Sequence, residues 1–117
     1  MNKVLKVGIA TVAQQRARSL AIAAGTRQRG HDEPNVWFPS VTAMARVLSD
    51  ENLALLKAVR EQQPDSMDTL AQVVGKHAAN VSRSMHTMAE FGLVEFIKNG
   101  RTVTPKATFE HLSVDFC

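Results

Sequence analysis

Two short helical patterns meet at Gly75, and this junction constrains the fold of the chain more than any other feature of its sequence. Ala71 is small where a crossing helix must approach closely, and Gly75 supplies the left-handed backbone of a tight turn. Val81, ten residues after Ala71, is spaced to face back into the core. The predicted buried residues of the two helices are Met67, Leu70, Ala71, Val74, Val81, Met85 and Met88. The spacing therefore predicts two short helices packed at an angle around Gly75.

The hydrophobic pattern changes from the period of a helix to that of a strand directly after the second helix. Residues 93–98 (LVEFIK) and 101–105 (RTVTP) are β-rich and flank Asn99-Gly100. Asn-Gly between two such runs is a strong hairpin signal, because both central residues of that turn take positive φ. The predicted order over residues 66–105 is helix, tight turn, helix and hairpin, which resembles a winged helix-turn-helix.

Upstream of this region the sequence predicts two strands and three helices. Residues 3–12 are rich in β-branched side chains and predict a strand, and the Ala-rich residues 13–24 predict a helix. Residues 36–38 (VWF) predict a short strand, and Ser40 and Ser49 are placed to cap two further helices. The expected apolar positions are Val41, Met44, Ala45 and Leu48 on the first of these two, and Leu53, Leu56 and Val59 on the second.

Charge is unevenly distributed along the 117 residues, whose net charge is +3. Residues 1–30 contain six basic and no acidic residues, residues 31–65 sum to −3, and residues 66–106 sum to +2. Basic segments around an acidic middle favour a polyanionic partner. The absence of acidic residues from residues 1–30 is also typical of an organelle transit peptide. A folded basic arm explains this composition equally well, and we expect the folded arm.

The cysteine content and the hydropathy of the sequence indicate in which cellular compartment the protein is expected. Its one cysteine, Cys117, leaves no disulfide framework or cysteine metal site within the chain. No run of 18 apolar residues is present, and Lys6 interrupts what would be the apolar core of a signal peptide. We therefore expect a cytoplasmic protein that does not span a membrane.

The helix after Gly75 carries polar residues on the side away from its predicted core. With Val81 at the centre of the buried face, Ala79 and Arg83 lie nearly opposite. Ala79 allows close approach to a thymine methyl, Asn80 matches an adenine edge, and Arg83 matches a guanine edge. Hydroxyl and lysine side chains nearby suit phosphate oxygens. The candidate DNA-binding residues are Ser66, Lys76, His77, Ala79, Asn80, Ser82, Arg83, Ser84, Thr87, Lys98, Asn99 and Arg101.

These residues predict a docking geometry on double-stranded DNA. A recognition helix of about residues 77–91 enters the major groove. A cationic wing at residues 98–101 follows the backbone or enters the minor groove. We call the recognition helix together with its wing the reading head. Because one reading head contacts few base pairs, specific recognition favours two copies at a fixed spacing.

Catalytic and metal-binding interpretations have little support in the sequence. His77 and His86 are nine residues apart, a poor spacing for two ligands on one helix face. His31-Asp32-Glu33 fall in a polar loop without a nucleophile or phosphate-binding loop to serve. We predict no enzyme, no catalytic residue, no metal and no cofactor. A winged helix that binds only protein stays open as the alternative, because the charge of the reading head is modest.

Residues 38–116 resemble the small MarR-like winged-helix transcriptional regulators that often act as antitoxins. The resemblance is carried by FPSVTAMARVLSDENLALLKAVRE, PDSMDTLAQVVGKHAANVSRSMHTMAEFGLVEF and NGRTVTPKATFEHLSVDF. It implies an α+β winged helix-turn-helix and a homodimeric repressor of its own operon, paired with a toxin protein encoded nearby. It also places the recognition helix and wing at residues 76–87 and 98–101.

The N-terminal third of the chain is not needed for the reading head. We expect residues 1–38 to form a strand-helix arm that dimerises and residues 39–117 to form the winged-helix DNA-binding domain. In this hypothesis residues 3–12 offer a strand edge to the second copy, with Trp37 and Phe38 nearby.

Overall fold

The computed structural model describes residues 3–25 and 34–115, which form five helices and five strands. The helices are α1 (Val12–Ala23), α2 (Val41–Val47), α3 (Asp50–Gln62), α4 (Met67–Val74) and α5 (Ala78–Glu90). The strands are β1 (Val4–Ile9), β2 (Val36–Phe38), β3 (Val94–Asn99), β4 (Thr102–Ala107) and β5 (His111–Asp115). The predicted α+β fold with a winged helix-turn-helix is confirmed.

Hydroxyl residues fix the start of four helices. Each side chain accepts a hydrogen bond from the backbone N–H three residues later, which satisfies a donor that the helix leaves unpaired. These caps are Thr11, Ser40, Ser49 and Ser66. By contrast, α5 begins at His77, whose side chain makes no capping hydrogen bond.

The turn between α4 and α5 has the predicted geometry. Gly75 has φ of 67°, and the Lys76 N–H closes the turn on the Ala71 carbonyl at 3.0 Å. Ala71 and Val81 are both buried, as are Met85 and the other predicted centres of these two helices, while the flanking Met67 and Val74 are partly buried. The helix-turn-helix corner is therefore built by the residues that the spacing selected.

The predicted hairpin is present, but its turn lies one residue later than expected. Asn99 pairs with Thr102 in the antiparallel ladder, so the two-residue turn is Gly100-Arg101. Gly100 has φ of 64°, and neither Asn99 nor Arg101 has positive φ. A glycine at the first central position, as the only residue with positive φ, is the type II′ pattern. The expectation that Asn99 takes positive φ is wrong, because this turn needs only one such residue.

The second sheet joins the two ends of the described chain. Its order is β2-β1-β5, and both pairings are parallel. The expectation that β1 offers an edge to a second copy is wrong, because both of its edges are paired within the chain. The sequence analysis did not predict β5, since a parallel pairing between distant segments leaves no local signal.

One face of this sheet packs on the helices. Val7 and Phe38 are completely buried, and the Phe38 ring stacks on Phe91 at the end of α5, with 4.7 Å between centroids. The sheet therefore shares a core with the helix-turn-helix. Residues 1–38 contribute Leu5, Val7, Val36 and Phe38 to that core.

The buried faces of α2 and α3 differ from the expected ones. On α2, Val41 and Ala45 are exposed and Val47 is buried. On α3, Leu53 is exposed, whereas Leu55 is buried beside the confirmed Leu56 and Val59. Both helices have apolar residues on more than one side, and contacts with neighbouring elements determine which of these residues are buried. Buried Asn52, whose Nδ2 donates to the Val47 carbonyl at 2.8 Å, fixes α3 against α2.

Candidate nucleic-acid interface

The two faces of α5 are sharply divided. Val81, Met85 and Met88 are buried, whereas Arg83 on the opposite side is exposed. The other candidate residues at the start of the helix are exposed as well: Lys76, His77, Ala79 and Asn80. Because the buried face anchors α5 in the core, the helix presents a polar surface with a defined orientation to solvent.

Several candidate hydroxyls on this helix are half-buried or bonded within it. Thr87 Oγ1 donates to the Arg83 carbonyl at 3.0 Å, and Ser82 Oγ lies 3.3 Å from His86 Nδ1. Ser82 and Ser84 are half-buried. On α4, the Ser66 hydroxyl accepts from Thr69 N and so serves its own helix. These side chains are less available to a partner than the exposed cations.

His86 links α5 to the hairpin. Its Nδ1 lies 2.7 Å from the Ser82 carbonyl, and since a carbonyl only accepts, this nitrogen carries the proton. Its ring lies 4.8 Å from that of Phe96 in β3. This contact brings the hairpin beside the helix that carries Arg83.

The hairpin divides its polar residues between two faces. Alternation along β3 places Lys98 on the same face as Phe96, which is the face next to α5. Asn99 lies on the other face, where its Nδ2 donates to Thr104 Oγ1 at 3.3 Å. Arg101 stands exposed in the turn. The structure thus places Lys98 on the hairpin face next to α5 and turns Asn99 to the other face.

A hydrogen-bond relay ties the hairpin to the start of α4. The Thr104 hydroxyl accepts from Asn99 and donates to the Asp65 carbonyl at 2.7 Å. Asp65 immediately precedes Ser66, the cap of α4. The relay therefore connects the hairpin to the start of the helix-turn-helix. The sequence analysis did not select Thr104, because its acceptor, the Asp65 carbonyl, lies 39 residues earlier in the chain.

Lys76 meets an acidic residue that the sequence analysis did not select. Its Nζ lies 3.7 Å from Glu51 Oε1 in the first turn of α3. The pair stands at a cleft of about 300 Å³, whose apolar lining includes Leu55, Val74 and Val81. From the sequence, Glu51 is expected only to stabilise the start of α3, because the first turn of any helix favours acidic residues.

Two absences concern only the described ranges, 3–25 and 34–115. Those residues include no group of three or more His, Cys, Asp or Glu side chains placed to hold a metal ion. None of the helices there is long and apolar enough to cross a membrane. The segment His31-Asp32-Glu33 and Cys117 lie outside the described residues.

Comparison with known proteins finds a structure of similar fold and a matching family. A crystal structure described as that of a predicted DNA-binding transcriptional regulator from E. coli matches with a TM-score of 0.51 and 17% identity over 85% of each chain. No curated protein matches the chain by sequence. The family model HVO_A0114 matches residues 47–114, which run from the end of α2 into β5. Since this is more than half of its length, the chain belongs to the HVO_A0114 family.

Proposed function

We propose that this protein is a sequence-specific DNA-binding transcriptional regulator that works in the cytoplasm. Residues 77–91 enter the major groove and residues 98–101 contact the backbone or minor groove. The observation that carries the proposal is the exposed Arg83 surface of α5, flanked by Lys76 and by the cationic hairpin. The E. coli protein of similar fold is itself described as a DNA-binding regulator.

Binding to random duplex DNA at increasing salt tests this proposal. Phosphate contacts release counterions, so the logarithm of the affinity must fall linearly with the logarithm of salt concentration. We expect a slope of about −3 to −4 for each copy bound to the duplex, near 0.9 for each of the cations Lys76, Arg83, Lys98 and Arg101. Absence of binding, or an affinity that does not depend on salt concentration, would instead support the alternative of a winged-helix module that binds only protein.

The proposed biological role is that of a MarR-like autorepressor and antitoxin. The resemblance of residues 38–116 supports it, together with the exposed recognition surface. If the role is correct, the product of an adjacent gene arrests growth when expressed alone and is neutralised by co-expression of this protein. Adjacent genes whose products leave growth unchanged would remove the antitoxin role and keep the DNA-binding proposal intact.

The proposed assembly is a homodimer formed through the N-terminal arm, residues 1–38. The helix α1 buries none of its described side chains, and Val12 and Leu20 are 62% and 65% exposed. An isolated helix of 12 residues is marginal in water, so α1 needs a partner surface. On its inner side, the Arg18 guanidinium of α1 lies over the Trp37 ring, at 5.3 Å. A second copy covering Val12 and Leu20 supplies the missing surface.

The geometry of an operator favours the same assembly. Two copies joined at the arm give two reading heads at a fixed spacing, which a specific operator requires.

A further inference from the structure

Glu51 faces the cationic surface on which the proposed function depends. It lies in the first turn of α3, and its carboxylate is 3.7 Å from Lys76 Nζ. Lys76 follows Gly75 in the turn that leads into α5, at the edge of the exposed surface that includes Asn80 and Arg83. An acid therefore stands beside a candidate phosphate-binding lysine.

The exposure of the pair permits competition for Lys76. The Lys76 side chain is 52% exposed and that of Glu51 is 80% exposed, so solvent and ligands reach both groups. An exposed ion pair of this kind is weak, since water screens the attraction and two long side chains lose freedom. A phosphate oxygen can displace the carboxylate, but the displaced negative charge stays close to the DNA backbone.

We propose that Glu51 is an affinity-setting residue that opposes non-specific DNA binding through its contact with Lys76. The inference rests on the proposed function. Each phosphate contact by Lys76 first breaks the ion pair and then brings Glu51 close to like charge. The penalty is the same on every duplex, so it lowers background binding without altering base preference. Specific sites overcome it through base contacts made elsewhere on α5.

The test compares Glu51→Gln, Lys76→Met and the double variant in the full-length protein. Random duplex DNA is the probe, and its affinity is measured across a salt series. We expect Glu51→Gln to tighten binding by about two- to fivefold, the range set by an exposed ion pair. In the Lys76→Met background the same substitution should have a clearly smaller effect, because the ion pair is already broken and only the repulsion between Glu51 and phosphate is left.

Glu61→Gln is the matched control, since Glu61 is exposed in the last turn of the same helix and the change in net charge is identical. Thermal unfolding of each variant separates a change in stability from a change in affinity. A Glu51→Gln effect equal to that of Glu61→Gln, or one that is equally large without Lys76, would overturn the inference. Failure of the wild type to bind duplex DNA would instead overturn the proposed function.

Discussion

Arg83 is the residue on which base recognition depends most in the proposed function. It is exposed opposite buried Val81, so its replacement leaves the core of α5 unchanged. We expect Arg83→Ala to cost about 1–3 kcal/mol on the preferred site and to relax preference at one base pair. The measurement is site selection from a random duplex pool, followed by titration of the selected site. Lys106→Ala, an exposed cation on β4, is the control. Equal losses on preferred and random duplexes would show that Arg83 contacts only phosphate.

Backbone conformation at two helix ends gives a paired stability prediction. Gly75 and Gln63 both have positive φ, and a Cβ at Gly75 would meet no atom within 4 Å. The cost of Gly75→Ala is therefore that of placing a Cβ-bearing residue at positive φ, and we expect the free energy of unfolding to fall by about 1–2 kcal/mol. By the same argument, Gln63→Gly should stabilise the protein by up to about 1 kcal/mol. Urea denaturation measures both, and effects of the same sign would contradict the explanation.

At the scale of the element, the hairpin acts through its charge and through its fixed angle. Arg101 stands exposed in the turn, and no base-specific geometry is assigned to it. We expect Arg101→Ala to weaken binding to all duplexes alike and to reduce the salt slope by about 1 for each bound copy. Binding isotherms on preferred and random duplexes across a salt series check this. A loss confined to one sequence would show that Arg101 reads bases in the minor groove.

The Thr104 relay makes a separate prediction about the angle of the hairpin. Thr104→Val removes the hydrogen bonds to Asn99 and to the Asp65 carbonyl with little change in shape. We expect a stability loss of about 0.5–1.5 kcal/mol and weaker DNA binding at an unchanged net charge. Thr102→Val is the matched control, because the Thr102 hydroxyl makes no hydrogen bond among residues 3–25 and 34–115. Equal affinities of the two variants would show that the relay does not position the wing.

At the scale of the whole molecule, the dimer proposal is best tested by a point substitution. Deleting residues 1–38 would remove Val7 and Phe38 from the core, so loss of assembly could not be told from unfolding. Leu20→Glu places a charge on the exposed side of α1, and we expect it to convert a dimer into a monomer with native helix content. Sedimentation and circular dichroism measure these properties, with Leu53→Glu on α3 as the control. A wild-type monomer, or a Leu20→Glu dimer, would contradict the assembly through α1.

The sequence determined the parts of the fold that depend on neighbouring residues. The caps at Ser40, Ser49 and Ser66, the turn at Gly75 and the hairpin follow from local backbone preferences and hydrogen bonds within a few residues. The buried face of α5 also followed, because Val81 and its helical neighbours leave one apolar stripe.

Tertiary structure alone decided the features that join distant segments. It placed β1 between β2 and β5, bonded Thr104 to the Asp65 carbonyl, and set Glu51 beside Lys76. Each of these depends on a contact between residues far apart along the chain. No periodicity or spacing records such a contact, because it arises only when separate elements pack together.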